Sequence, residues 1–161
     1  DLADRPSIEA ALAKLGTVDA IVSAAGQVGW APLLELSPEQ WDFSLGNKLM
    51  GQVNLALLGQ RHLRDGGSIT LTSGVLNHDP VAYGAAASLA NGGIEGFVRA
   101  AAVELPRGLR INAVSPGVLV ESMDDLGPFF RGFQPVPGAR VALGYARSVE
   151  GGETGKVYGI H

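Results

Sequence analysis

Few side chains in this chain are able to do chemistry: the hydroxyls of Ser73 and Tyr83, the His78-Asp79 pair between them, and the amine of Lys48. Ser73, His78 and Asp79 are the residue types of a hydrolytic triad. Triad members, however, meet in space rather than in sequence, and no G-x-S-x-G elbow surrounds Ser73. An unassisted phenol has a pKa of about 10, so Tyr83 alone would be a poor base at neutral pH, though able to donate a hydrogen bond. Lys48, a lone lysine on an amphipathic helix, is expected at the helix edge with its ammonium in water, in preference to the alternative of a displaced positive charge near the site. With no cysteine, thiolate nucleophiles, disulfides and Cys-based metal sites are excluded, and His62, His78 and His161 are too dispersed to suggest a zinc cluster. No metal is expected.

These residues have to be positioned by elements whose apolar period switches back and forth. Asp4 caps an expected helix from Arg5 to Leu15, with Ile8, Leu12 and Leu15 on one face and Gly16 as its stop. Val18 to Ala24 is a short apolar run of the kind found in strands buried on both faces. Ser37-Pro38-Glu39-Gln40 is a capping box with Pro at the first helical position, and it predicts a helix to about Leu63. Gly66-Gly67 is expected as a turn and Ser68 to Thr72 as a strand. A helix follows from about Val81 to Leu105, its apolar stripe running through Leu89 or Ala90, Ile94, Phe97, Val98, Ala101 and Leu105. Arg110 to Ser115 is a strand, Gly127 to Phe130 a loop or short helix, Ala139 to Val149 a helix and Lys156 to Ile160 a last strand.

This α-β-α-β-α-β-α-β order implies parallel strands joined by right-handed crossovers, an open α/β sheet in a single domain. The 161 residues are 46% hydrophobic, enough for a sizeable core. A net charge of only -4 with no basic run makes nucleic acid an unlikely partner. No apolar run reaches the roughly 18 residues of a membrane helix, and the lack of cysteine suits a cytoplasmic setting.

Ligands of such sheets bind beyond the carboxyl ends of the strands. Those ends carry Ser23-Ala24-Ala25-Gly26, Thr72-Ser73-Gly74 and Ser115-Pro116-Gly117, three sets of small residues in register that let backbone approach a flat ligand.

The same segments carry a family resemblance. Ser23-Ala24-Ala25-Gly26 resembles the Asn-Asn-Ala-Gly motif of the short-chain dehydrogenase/reductase family, ITLTSG its serine strand, EGFVRAAAVEL its central helix and INAVSPG its Asn-x-x-x-Pro-Gly segment. The resemblance implies a Rossmann-like, doubly wound parallel sheet and NAD or NADP as cofactor. By it, Asp1, Ala25 and Gly26 would line the adenosine side of the dinucleotide, and Ser73, Pro116, Gly117 and Val118 would lie near the nicotinamide. It also implies a Gly-rich turn ahead of Asp1, so that the sheet is expected without its first strands, and a homodimer formed through the long helix. Gly92, Gly93 and Gly96 in that helix point to another helix packing closely there, because Gly in a helix interior costs roughly 1 kcal/mol against Ala.

The departures are as informative. The family uses a Tyr to exchange the proton and a Lys one turn later to lower the phenol's pKa and bind the nicotinamide ribose. Aligned through EGFVRAAAVEL, those positions are Ala87 and Asn91; Asn91 is left as the cofactor-side residue and Tyr83 as the displaced phenol. The family's helical Asn falls on Lys48. Glu121 replaces a Thr that bonds the pyrophosphate, and a carboxylate there would repel phosphate unless the segment turns outward. The leading expectation is an oxidoreductase on a small carbonyl or alcohol, with Ser73 polarising the carbonyl and Tyr83 or water handling the proton. The alternatives are a non-catalytic dinucleotide-binding or sensing protein, and a homodimeric structural module with a vestigial cleft.

Overall fold

The computed structural model describes residues 1–161. Its helices are α1 (Arg5–Leu15), α2 (Pro38–Ser44), α3 (Gly51–Gly59), α4 (Ala85–Glu104), α5 (Met123–Leu126) and α6 (Gly138–Glu150). The strands β1 (Val18–Val22), β2 (Leu63–Thr72), β3 (Arg110–Pro116) and β4 (Val157–Ile160) form one parallel sheet in the order β1-β2-β3-β4. This is the Rossmann-like α/β arrangement expected from the alternation of elements.

The central strands are buried on both faces, and their side chains alternate between two layers. Ile69, Leu71, Ile111 and Ala113 face Ala56 of α3 and Ile94 and Val98 of α4 in the main core. The intervening Thr70, Asn112 and Val114 face α6, where Val114 packs with Val136, Val141 and Tyr158. A polar seam crosses this second layer. The Thr70 and Ser148 hydroxyls are 2.6 Å apart, and Asn112 Nδ2 donates to Ser148 Oγ at 3.2 Å and to the Glu153 carbonyl at 3.0 Å. Asn112 Oδ1 accepts the Lys156 N–H at 3.0 Å, so one buried amide fastens β3 to α6 and to the start of β4.

Several boundaries differ from expectation. Leu15 is 67% exposed, because Ile8 and Leu12 alone of its helix face fall in the core, and β1 is only half-buried because it is the edge strand of the sheet. The β2 ladder starts at Leu63 rather than Ser68, with Gly66 at φ 76° where the pairing with β1 shifts register between Val18 and Ala20. Ala90, and not Leu89, lies on the buried stripe of α4.

The capping box is formed: Ser37 Oγ accepts the Gln40 N–H and Gln40 Oε1 accepts the Ser37 N–H. The expected helix from Pro38 does not run uniformly. Between α2 and α3, Leu45–Met50 widens into a π-helical turn in which the Gly51 N–H donates to the Gly46 carbonyl, five residues back. Of the three α4 glycines, Gly93 meets Leu49 of this turn, where an added Cβ would lie 2.8 Å from a Leu49 methyl; nothing crowds Gly96.

Candidate functional site

A cavity of about 350 Å³ opens beyond the carboxyl ends of the strands. Gly26, Ser73, Asn91, Pro116, Gly117 and Val118 all line it, so the sheet brings together most of the residues singled out from the sequence. Its outer wall is aromatic: Trp30 lies 5.4 Å from Phe129 and 6.4 Å from Phe130 between ring centres. Together with Val75, Leu76, Ala87 and Val118, this wall keeps the cleft low in polarity, which strengthens any charge interaction inside it.

The one cation lining the cleft is Lys48, and the expectation of a solvated ammonium is overturned. The π-helical turn carries its side chain inward, where Nζ donates to the Ser73 carbonyl oxygen at 3.1 Å. Desolvation lowers its pKa from the ordinary 10.5 to about 8. Its stem runs against Gly26, whose φ of 134° and missing side chain leave the room it needs.

Three bonds hold this turn in place. Gln52, fully buried, donates through Nε2 to the Thr72 carbonyl at 2.9 Å and accepts the Thr72 N–H on Oε1 at 2.8 Å, splicing the helix to the end of β2. Asn47 Oδ1 accepts the Gln27 N–H at 2.7 Å and so holds the loop after β1.

Ser73 and Asn91 meet at the same end of β2. Asn91 Nδ2 donates to the Gly74 carbonyl at 3.1 Å, while its buried Oδ1 has no partner. Gly74 stands at φ 149°, and a Cβ there would come within 3.0 Å of Asn91 Nδ2. The Ser73 hydroxyl donates to Glu95 Oε1 at 3.1 Å, and Glu95 Oε2 lies 3.0 Å from His78 Nε2. His78 therefore reaches Glu95 rather than Ser73, and the order Ser-carboxylate-His is not that of a hydrolytic triad.

The remaining candidates lie elsewhere. Tyr83 does not line the cleft: it precedes α4 at φ 66°, largely exposed, with its ring edge-on to Phe129 at 5.7 Å. Asp1 borders a separate apolar cavity of about 390 Å³ between α1 and β1, its carboxylate accepting the Ala3 N–H. Ala25 is exposed outside the lining. Glu121 turns to the start of α6, where both its oxygens accept the Gly138 N–H at 3.0 and 3.1 Å. No group of side chains is arranged to hold a metal, and no helix is long and apolar enough to cross a membrane.

Gln52 and Glu95 were not legible as site residues. The one available signal was spacing: each lies four residues after a singled-out position, Lys48 and Asn91, and so on the same helix face.

A family model described as enoyl-(acyl carrier protein) reductase matches residues 4–158. Versicolorin reductase 1 of Aspergillus parasiticus is 34% identical over 116 residues, covering 67% of this chain and 42% of that protein. Tetrahydroxynaphthalene reductase PfmaG of Pestalotiopsis fici is 33% identical over 125 residues, covering 73% of this chain and 43% of that protein. The chain thus spans less than half the length of these curated relatives. Among solved structures, protein lin1944 from Listeria innocua has a TM-score of 0.98 at 49% identity over 100% of this chain and 80% of its own. A small-chain dehydrogenase in complex with NADPH has a TM-score of 0.89 at 26% identity, over 99% of this chain and 80% of its own. With the family model matching nearly the whole chain and the parallel sheet ending in this cleft, the chain belongs to the short-chain dehydrogenase/reductase family.

Proposed function

We propose that the protein is an NAD(P)-dependent oxidoreductase acting on a small carbonyl or alcohol substrate, with Lys48 exchanging the proton at the substrate oxygen. The observation that carries this reading is the Lys48 ammonium, drawn into the cleft beside Ser73 with its pKa lowered to about 8. A group titrating there is present as acid and as base near neutral pH, the condition for proton transfer in either direction. Tyr83, by contrast, is turned onto Phe129 outside the cleft lining.

The cleft fits a nicotinamide dinucleotide in one respect: the buried Asn91 Oδ1, on a residue that lines it, has no partner in the protein. Asn91, Pro116, Gly117 and Val118 would hold the nicotinamide end and Gly26 the adenosine side, with Ala25 and Asp1 outside the cleft lining. When bound, the dinucleotide supplies or takes the hydride. Lys48 then gives its proton to the oxygen of a carbonyl or takes one from an alcohol, while the aromatic wall at Trp30 and Phe130 excludes water. The reductase names of the relatives and the NADPH complex of a structural neighbour support the class. We propose a homodimer, which the family resemblance implies, in a cytoplasmic setting, which the absence of cysteine suits.

The test is a titration of the full-length protein with NADH and with NADPH, followed through nicotinamide fluorescence, and then a panel of small carbonyls. Binding together with cofactor oxidation is expected; absence of binding at high cofactor concentration would sink the reading.

A further inference from the structure

Glu95 is only 1% exposed, an acid folded into the protein beneath the cleft one turn past Asn91. Three groups converge on it: the Ser73 hydroxyl at 3.1 Å, His78 Nε2 at 3.0 Å and an Arg99 guanidinium nitrogen at 3.7 Å. Ser73 and Arg99 present hydrogens to it, and His78 does so in the tautomer that carries its proton on Nε2; Oε1 is in any case the acceptor of the Ser73 hydroxyl. A serine hydroxyl has one proton and two lone pairs. Ser73 gives its proton to Glu95 in a charge-assisted bond roughly twice as strong as a neutral one. What remains for the cleft is a lone pair. Ser73 in this state cannot polarise a carbonyl, which requires a donor.

The donor stands beside it. Lys48 Nζ spends one N–H on the carbonyl oxygen of Ser73 and has two left. Residue 73 thus gathers a cationic donor and a neutral acceptor into one corner of the cleft.

We infer that Ser73 is an acceptor toward the substrate, held in that state by Glu95 as a positioning residue, and that the cleft selects α-hydroxy carbonyl compounds. In such a compound the hydroxyl donates to Ser73 Oγ while the adjacent carbonyl oxygen takes an N–H from Lys48. This rests on the cleft being the substrate site of the proposed oxidoreductase, and it adds a substrate class that the family assignment does not supply.

The experiment compares two probes that differ in one donor, hydroxyacetone and methoxyacetone. Each is titrated into the ¹⁵N-labelled full-length protein, following the Gly74 and Gly117 amides by NMR. Hydroxyacetone is expected to bind at least about tenfold more tightly. Ser73→Ala should bring the ratio to near unity, which separates the hydrogen bond from the bulk of the extra methyl group. Glu95→Gln should do the same, because its amide NH₂ turned to Ser73 Oγ frees the hydroxyl proton to point into the cleft. Its amide spectrum reports whether that variant folds, and Ser73→Ala answers the question if it does not. Equal binding of the two ketones, a preference that survives Ser73→Ala, or no shift with either ketone overturns the inference. The titration needs no nicotinamide. A hydroxyl preference without turnover would therefore leave this inference standing and remove the oxidoreductase reading alone.

Discussion

Gly26 and Lys48 are in direct contact across the mouth of the cleft: a Cβ at position 26 would lie 3.0 Å from Lys48 Cγ and 3.1 Å from its Cα. The loop after β1 and the π-helical turn thus close against each other only because one of them has no side chain there. Gly26→Ala must adopt φ 134°, a conformation L-residues rarely take, and must displace Lys48 as well. A loss of about 1–3 kcal/mol in denaturant unfolding is expected. With it the Lys48 pKa, followed by NMR of its ε-methylene, should move from about 8 back toward 10.5.

On the proposed oxidoreductase reading, the pH dependence of catalysis would follow from the same ammonium. Carbonyl reduction needs Lys48 protonated and should fall as pH rises through about 8, whereas alcohol oxidation needs the free amine and should rise over the same range. Lys48→Met should lower turnover by about 10²–10⁴-fold in both directions. Lys48→Arg, charged throughout, should flatten the reduction profile near that pH. An unchanged profile in Lys48→Arg would remove lysine as the titrating group.

Stability should respond to Lys48 with the sign opposite to that of an ion-paired lysine. Below pH 8 the folded and unfolded chains both hold the proton, and the folded state bears the full desolvation cost. From about 8 to 10.5 the folded chain has lost a proton that the unfolded chain keeps, so stability rises with pH and then levels. At neutral pH Lys48→Met is expected to be more stable than the native chain by about 1–3 kcal/mol, after discounting for the part of the side chain that still reaches solvent. Urea unfolding at a series of pH values measures both effects.

Glu121 is expected to matter for α6 rather than for phosphate. Its carboxylate caps the Gly138 N–H with both oxygens, complementing the positive end of that helix. Glu121→Ala should cost about 1 kcal/mol of stability while leaving dinucleotide affinity within about twofold. An affinity gain of about tenfold or more would show that the carboxylate reaches the cofactor after all.

Asn112 belongs to a segment whose resemblance points toward cofactor binding, yet its side chain is wholly committed to structure. Asn112→Ala leaves the part-buried Lys156 N–H and Glu153 carbonyl without this partner and takes one of its two bonds from the buried Ser148 hydroxyl, which keeps Thr70. A loss of about 2–4 kcal/mol is expected, with faster hydrogen exchange at the Lys156 amide.

The alternation of strands and helices was legible because Ser68 to Thr72, the last half of β2, and Arg110 to Ser115 in β3 are short, mostly apolar runs flanked by Gly67, Gly74, Gly108 and Pro116, and because Ser37 to Gln40 announces a helix by local bonds alone. The position of the cleft was legible too, since it depends only on where parallel strands end. The direction of Lys48 was not. A turn widened by one residue leaves the apolar spacing on either side intact, so the pattern from Pro38 to Leu63 reads as one regular helix. Glu95 was hidden for another reason: an acid on a long helix reads as solvent-facing until Ser73 and His78, contributed by the end of β2 and the loop after it, are known to lie against it. Tyr83 was misleading because its partner Phe129 comes from a Gly- and Pro-rich loop with no period from which to infer contact.

The wide turn at Leu45–Met50 makes the charge of the cleft a question of phase. Each residue of a regular helix advances about 100° around the axis. Deleting one residue between Leu45 and Lys48 would relax the turn, and no mutation of the lysine itself would be needed to swing its ammonium out of the cleft and bring a neighbour in. On the proposed reading, acid chemistry would therefore be gained or lost by a single-codon length change in a helix, with every strand and the rest of the cleft left as they are.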